Sequence, residues 1–189
     1  MPDRRALLRS AASLGVACCM AGGARSAWAQ SGTATGGATP VARVPRLPDR
    51  PAPALGSLIE TPRTELIDGS IAEAGAWRGK VLLVQLWATW CPFCAKQNPL
   101  IDKLWRARRA DGLDVLGLSI DEKPDLIKRY LADHGYRFPV ARFDQSWWTV
   151  LGRPKGLPVL WVIGRDSRLK QLEVGEMFPE DIELLEKWI

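Results

Sequence analysis

The run "KVLLVQLWAT" (Lys80–Thr89) leads, after one tryptophan, straight into Cys91-Pro92-Phe93-Cys94. Aliphatic and β-branched residues bounded by Gly79 on one side predict a buried strand. Beyond the cysteines the period changes. Leu100, Ile101, Leu104 and Trp105 recur at three-to-four spacing until Asp111-Gly112, which predicts a helix ended by glycine and kinked at Pro99. Two thiols therefore stand where a buried strand gives way to a helix.

The rest of the chain supplies layers on either side of this unit. "TELIDGSIAEAGAWRG" (Thr64–Gly79) reads as two short strands around a turn at Asp68-Gly69. "LDVLGLSID" (Leu113–Asp121) is a second buried strand. "KPDLIKRYLADHG" (Lys123–Gly135) is a helix opened by Pro124, with Leu126, Ile127, Tyr130 and Leu131 on one face. "FPVARFD" (Phe138–Asp144) is a short strand and "QSWWTVLG" (Gln145–Gly152) a helical turn. Val159–Ile163 and Leu169–Val174 form a hairpin around Asp166-Ser167, and "FPEDIELLEKWI" closes with a helix carrying Ile182, Leu185 and Ile189 on one side. Strands alternating with helices predict an α/β domain with parallel members, and the late hairpin adds antiparallel ones.

The N-terminus reads as an address. Residues 1–29 begin with Arg4, Arg5 and Arg9, continue with small and apolar residues, and end in Ala27-Trp28-Ala29, the layout of a secretory signal cleaved after Ala29. Its apolar part is too short and too rich in Gly, Ala and Ser for a span of ~20 apolar residues. "DRRALLR" (Asp3–Arg9) resembles a twin-arginine export signal, with a Sec signal as the alternative. Cys18 and Cys19 raise a lipoprotein reading, but Gly15-Val16-Ala17 lacks the leucine expected upstream of a lipidated cysteine. Residues 30–55 are rich in Gly, Pro, Ala and Thr without apolar periodicity and predict a flexible tether. Residues 56–189 are then the folded domain. The formal charge of +5 has +3 of its excess in the first 29 residues, so the domain is nearly balanced, and nucleic acid is not an expected partner.

Three chemistries compete for Cys91 and Cys94. A closed zinc site needs four ligands, and beyond the signal the chain has only these two cysteines and His134. A structural staple across two intervening residues removes little unfolded-state entropy. Redox chemistry fits the placement: at a helix N-terminus, orphan N–H groups and the positive end of the dipole favour a thiolate on Cys91. Cys94, one turn in, is shielded and placed to resolve a mixed disulfide.

"LWATWCPFC" (Leu86–Cys94) closely matches the thioredoxin-family block in which Trp-Ala-x-Trp-Cys follows the core strand, and Thr89-Trp90 is typical of its TlpA/ResA branch. "GLPVLWVI" (Gly156–Ile163) resembles that family's cis-proline segment with Pro158 as the cis residue, and "GRDSRL" (Gly164–Leu169) matches its hairpin turn. The resemblance runs from about Pro62 to Ile189. It implies a thioredoxin-like fold: a central mixed sheet flanked by helices, with an N-terminal β-hairpin and an inserted helix–strand. It implies an exported thiol–disulfide oxidoreductase in the periplasm, with an uncleaved or lipidated membrane anchor as the alternative. Cys91 would be the nucleophile and Cys94 the resolving thiol. Trp90, Pro92, Phe93, Leu157 and cis Pro158 would meet the substrate, with Leu157 departing from the family's usual Thr or Val. The implied partners are protein thiols and disulfides, such as cytochrome c apoproteins or copper-site cysteines of oxidase assembly, and a DsbD/CcdA-like membrane electron donor. No cofactor and no resident metal are implied.

Two positions depart from the resemblance. Thioredoxins place an aspartate on the core strand where this chain has Gln85, and the TlpA/ResA branch often has a glutamate where this chain has Gln97. Amides cannot act as general bases, so the proton on Cys94 must be handled otherwise: by water, by a neighbouring carboxylate or by a partner. The direction of exchange stays open between reductase and disulfide-forming oxidase. A Cu(I) chaperone is a further alternative, although the Cys-x-x-x-Cys pattern of that branch is missing. A peroxidase is disfavoured by the absence of Pro-x-x-x-Thr-x-x-Cys before Cys91. Trp77, Trp105, Trp147, Trp148, Trp161 and Trp188 read as packing residues, and His134 as a helix-end residue.

Overall fold

The structure is a computed structural model and describes residues 50–153 and 155–189. The expected export signal and the tether as far as Asp49 lie outside those residues. A two-stranded antiparallel hairpin comes first, β1 (Thr64–Glu65) and β2 (Ile71–Ala72). The chain then runs β3 (Val81–Trp87), α1 (Pro92–Arg108), β4 (Leu113–Ser119), α2 (Pro124–His134), β5 (Val140–Arg142) and α3 (Gln145–Leu151). It ends with β6 (Val159–Ile163), β7 (Leu169–Val174), α4 (Pro179–Glu183) and a 3-10 turn over Leu184–Trp188. The expected order of elements is the observed one, and the fold is the thioredoxin-like α/β fold.

The main sheet has the order β5-β4-β3-β6-β7. β3 pairs parallel with β4 and antiparallel with β6, and β4 pairs parallel with β5. β3 is thus the central strand, buried along its whole length, which is why it reads as a near-continuous aliphatic run. Its alternation separates two cores. Val81, Leu83 and Trp87 face α1, α2 and α4 with Ile101, Ile127, Ile182 and Leu185. Leu82, Val84 and Leu86 face Trp147, Leu151 and Trp161.

The helices differ from expectation in detail. On α2 only Ile127 is buried, with Tyr130 and Leu131 packed at the rim, while Leu126 faces solvent. Leu126 stands at the side of the apolar stripe, since Ile127 in the same turn is fully buried. The C-terminal helix tightens into 3-10 geometry at Leu184, a common adjustment of a last turn. Trp77, Trp147 and Trp161 are buried, whereas Trp105, Trp148 and Trp188 are half-buried.

Backbone pairing reaches further upstream than the expected boundary at 55/56. The Arg153 N–H donates to the Arg50 carbonyl at 2.8 Å, Gly56 N–H to Leu169 at 2.7 Å, Ile59 N–H to Ser167 at 2.8 Å, and Leu169 N–H to Ser57 at 2.9 Å. The outer edge of β7 has unpaired backbone groups, and Gly56–Ile59 satisfies those at its start. Gly152, with φ +72°, lies so close that a side chain there would strike the Pro51 carbonyl.

Candidate active site

The site forms where β3 ends. The Cys91 N–H donates to the Ala88 carbonyl at 3.2 Å, closing a turn that delivers Cys91 to the N-cap of α1. Pro92 takes the first helical position, where a missing N–H costs nothing. The Cys91 Sγ accepts the Cys94 N–H at 3.2 Å, and no acidic residue occupies the first turn of the helix. The sulfur is therefore the group facing the positive end of the helix. Cys91 and Cys94 are joined as a disulfide, with Cα atoms 5.2 Å apart. Cys94 is fully buried and Cys91 is 4% exposed, while Trp90 at 68% and Phe93 at 51% stand out on either side. Lys96 Nζ lies 5.6 Å from the centre of the Phe93 ring and pairs with Glu176 at 3.4 Å.

The Leu157–Pro158 peptide is cis. Register places it at the same end of the sheet as the dithiol: Val159 pairs with Leu86, so Pro158 comes opposite the end of β3. The Pro158 carbonyl accepts the Gly175 N–H at 2.8 Å, and Leu157 packs against the cluster that contains both cysteines. The structure thus gathers Trp90, Cys91, Pro92, Phe93, Cys94, Leu157 and Pro158 at one edge, although they come from two segments.

Gln85 and Gln97 lie beneath this edge, both fully buried, and with them lies Asn98, which sequence reasoning did not single out. The Met177 N–H donates to Gln97 Oε1 at 2.8 Å, and Gln97 Nε2 points at Gln85 Oε1 at 3.4 Å. Gln85 Nε2 donates to Asn98 Oδ1 at 2.5 Å. The row ends there: Asn98 Nδ2 and the Tyr130 hydroxyl are both buried without a hydrogen-bond partner among the described residues, and burial pushes the Tyr130 phenol up while the Asn98 amide lowers it in part. Because a backbone N–H can only donate, Met177 fixes the direction of the whole row. Asn98 was legible in principle: Cys94, Gln97, Asn98, Ile101 and Leu104 repeat at three-to-four spacing on the buried face.

Two buried carboxylates were also missed. Asp121 accepts the Thr89 N–H at 2.8 Å, the Thr89 hydroxyl at 2.8 Å and the Ser119 hydroxyl at 2.7 Å. Asp102, on α1, accepts Arg106 Nε at 2.6 Å and the Arg137 and Phe138 N–H groups at 2.8 and 3.3 Å. His134 is peripheral; its Nδ1 lies 2.9 Å from the Tyr130 carbonyl, and its ring stacks on Tyr130 and Tyr136. Among the described residues no three His, Cys, Asp or Glu side chains are grouped so as to hold a metal ion.

Comparison with known proteins agrees with this geometry. The Redoxin family matches residues 52–187. Thiol-disulfide oxidoreductase ResA of Bacillus thuringiensis (strain Al Hakam) is 27% identical over 118 residues, 62% of this chain and 68% of that protein. ResA of Geobacillus kaustophilus (strain HTA426) is 26% identical over 107 residues, 57% of this chain and 62% of its own. Among solved structures, a thioredoxin-family thiol:disulfide interchange protein from Chlorobium tepidum TLS superposes with a TM-score of 0.65 at 22% identity, covering 72% of this chain and 97% of that one.

Proposed function

The chain belongs to the Redoxin family as a ResA-like thiol–disulfide oxidoreductase of the thioredoxin superfamily, and we propose that it acts outside the cytoplasm as a reductant of protein disulfides. The reduced Cys91 thiolate attacks one sulfur of a substrate disulfide, forming a mixed disulfide and expelling the other sulfur as a thiolate. Cys94, once deprotonated, attacks Cys91 and releases the second substrate thiolate. The enzyme ends as the Cys91–Cys94 disulfide, and two electrons and two protons have passed to the substrate. The observation that carries this reading is the Cys91 sulfur at the N-cap of α1, accepting the Cys94 N–H, with Cys94 fully buried behind it.

Trp90, Pro92 and Phe93 supply an apolar docking edge beside Cys91, and the backbone around Leu157 and cis Pro158 pairs with an extended substrate segment. The substrates are exported proteins with adjacent cysteines, such as cytochrome c apoproteins or copper-site proteins of oxidase assembly. Residues 1–29 direct export to the periplasm, and residues 30–49 tether the domain. Oxidised enzyme is re-reduced by a membrane-embedded dithiol donor of the DsbD/CcdA kind.

The test is a Cys94→Ser variant expressed with its own leader in a Gram-negative cell envelope. It should accumulate mixed disulfides through Cys91 that dithiothreitol releases, and the double variant with Cys91→Ser should accumulate none. A trap that captures nothing, from an enzyme that also fails to reduce insulin, would overturn the reading. Redox titration against glutathione fixes the direction, since a reductant needs a potential well below that of its substrates.

A further inference from the structure

The exchange chemistry leaves Asp121 without a task, yet its burial is costly. It is 7% exposed, and among the described residues its hydrogen-bond donors are neutral hydroxyl and N–H groups. A buried carboxylate needs such hydrogen bonds to be tolerated, and here they converge on one place. Both the backbone N–H and the hydroxyl of Thr89 end on Asp121, 32 positions away in the chain. The Ser119 hydroxyl braces the carboxylate, and the Ile120 N–H donates to the Trp87 carbonyl at 3.0 Å, so the end of β4 is stitched to the turn that follows β3. That turn presents Trp90, the most exposed large apolar side chain of the described residues, next to a nearly buried Cys91.

We propose that Asp121 is a positioning residue for disulfide exchange: it clamps Thr89 and thereby fixes the Trp90 edge on which a protein disulfide docks. The inference rests on the exchange reading above. Its consequence is selectivity by substrate size. A protein substrate must meet Trp90 and Cys91 together, whereas a small disulfide needs only the Cys91 sulfur.

The isosteric amide separates geometry from its absence. In Asp121→Asn the remaining oxygen can keep the Thr89 N–H and Ser119 bonds, while the new amide nitrogen donates to the Thr89 hydroxyl, which rotates to accept. Asp121→Ala removes all three acceptors and frees the turn. Thr89→Val removes only the hydroxyl contact.

The experiment follows single-turnover oxidation of pre-reduced enzyme, whose Cys91/Cys94 dithiol supplies the two electrons, by insulin as the protein disulfide and by 5,5′-dithiobis(2-nitrobenzoate) as the small one, for each variant and for Trp90→Ala, with the half-saturating insulin concentration read as KM. Asp121→Ala is expected to raise KM for insulin about fivefold, the scale of losing one good docking contact, and to change the small-disulfide rate by less than about twofold. Asp121→Asn should restore most of the insulin KM, and Thr89→Val should show the same selectivity at about twofold, which keeps the test open should Asp121→Ala not fold. Since Asp121 acts through Trp90, the Asp121→Ala/Trp90→Ala double variant should be no worse on insulin than Trp90→Ala alone. Equal loss on both substrates, multiplying effects in the double variant, or an amide variant as damaged as alanine overturns the inference while leaving exchange intact. A wild type that reduces neither disulfide overturns both.

Discussion

Replacing Gln97 by glutamate asks how the buried amide row responds to a charge. Gln97 accepts the Met177 N–H and turns its Nε2 toward Gln85 Oε1, and the row ends on Asn98 Oδ1. A carboxyl keeps the acceptor for Met177 but sets a second oxygen against Gln85 Oε1. Pairing returns when the carboxyl takes a proton and donates to Gln85, because turning over the Gln85 amide alone would set its oxygen against Asn98 Oδ1. An unmade buried bond costs about 1–3 kcal/mol, equal to about 1–2 units of pKa at 1.36 kcal/mol per unit, and burial acts in the same direction. The pKa of the new carboxyl should therefore stand above its unperturbed value of about 4.3. The fold then favours the protonated form. Stability relative to wild type is best below about pH 4 and falls as pH rises through the raised pKa, by about 1–3 kcal/mol. Once ionised, the same group sits one turn beyond Cys94 and can take its proton, so resolution of the mixed disulfide should quicken through the same pH range. Urea unfolding from pH 4 to 8, beside single-turnover release of a Cys91 mixed disulfide, measures both. A variant with no added stability slope between pH 5 and 7, and with wild-type resolution kinetics, would refute the reasoning.

Other perturbations test the frame around the site. Asp102→Ala strands the Arg137 and Phe138 N–H groups and should cost about 3 kcal/mol in denaturant unfolding. Gly117→Ala would bring a methyl group to 2.8 Å from Phe138 Cε2 and 2.9 Å from Trp87 Nε1, so about 1–3 kcal/mol should be lost to overpacking, read as a lower urea midpoint at unchanged slope. Tyr136 is pushed up to about 12 by burial first, then by Tyr130 and Asp102. Absorbance titration should show it ionising well after a free tyrosine; because the fold favours the protonated phenol, its contribution to stability is complete below about pH 10 and lost as pH climbs toward 12.

Most of the fold was legible because its signals are local. The aliphatic run of β3 needs no partner to be recognised, the helix after Cys94 shows its period, and Asp166-Ser167 marks the β6–β7 turn. Cys91 and Cys94 owe their prominence to the same locality, since strand, dithiol and helix are consecutive. What escaped was carried by contacts across the chain. Asp121 lies two residues beyond β4, and only folding brings it to Thr89. Asp102 looks like one more charge on a helix until Arg137 and Phe138 arrive beside it. Leu126 satisfies the α2 period yet stays exposed beside the fully buried Ile127, because periodicity assigns a face but not how wide a stripe of it is covered. The upstream limit of pairing was hidden for a related reason. Residues 50–56 have the composition of a linker, and only folding brings Arg153 to the Arg50 carbonyl and the start of β7 to Gly56.

That upstream pairing also determines how the domain carries a load. Tension entering the chain before Arg50 meets the Arg153 N–H bond first, and then the bonds linking Gly56, Ser57 and Ile59 to Leu169 and Ser167. The strain falls on the rim of the sheet, and two further strands, β7 and β6, separate that rim from β3 and the cysteines it delivers. A load entering at Arg50 is thus met at the outer edge of the sheet, two strands away from the strand that delivers the reactive sulfurs.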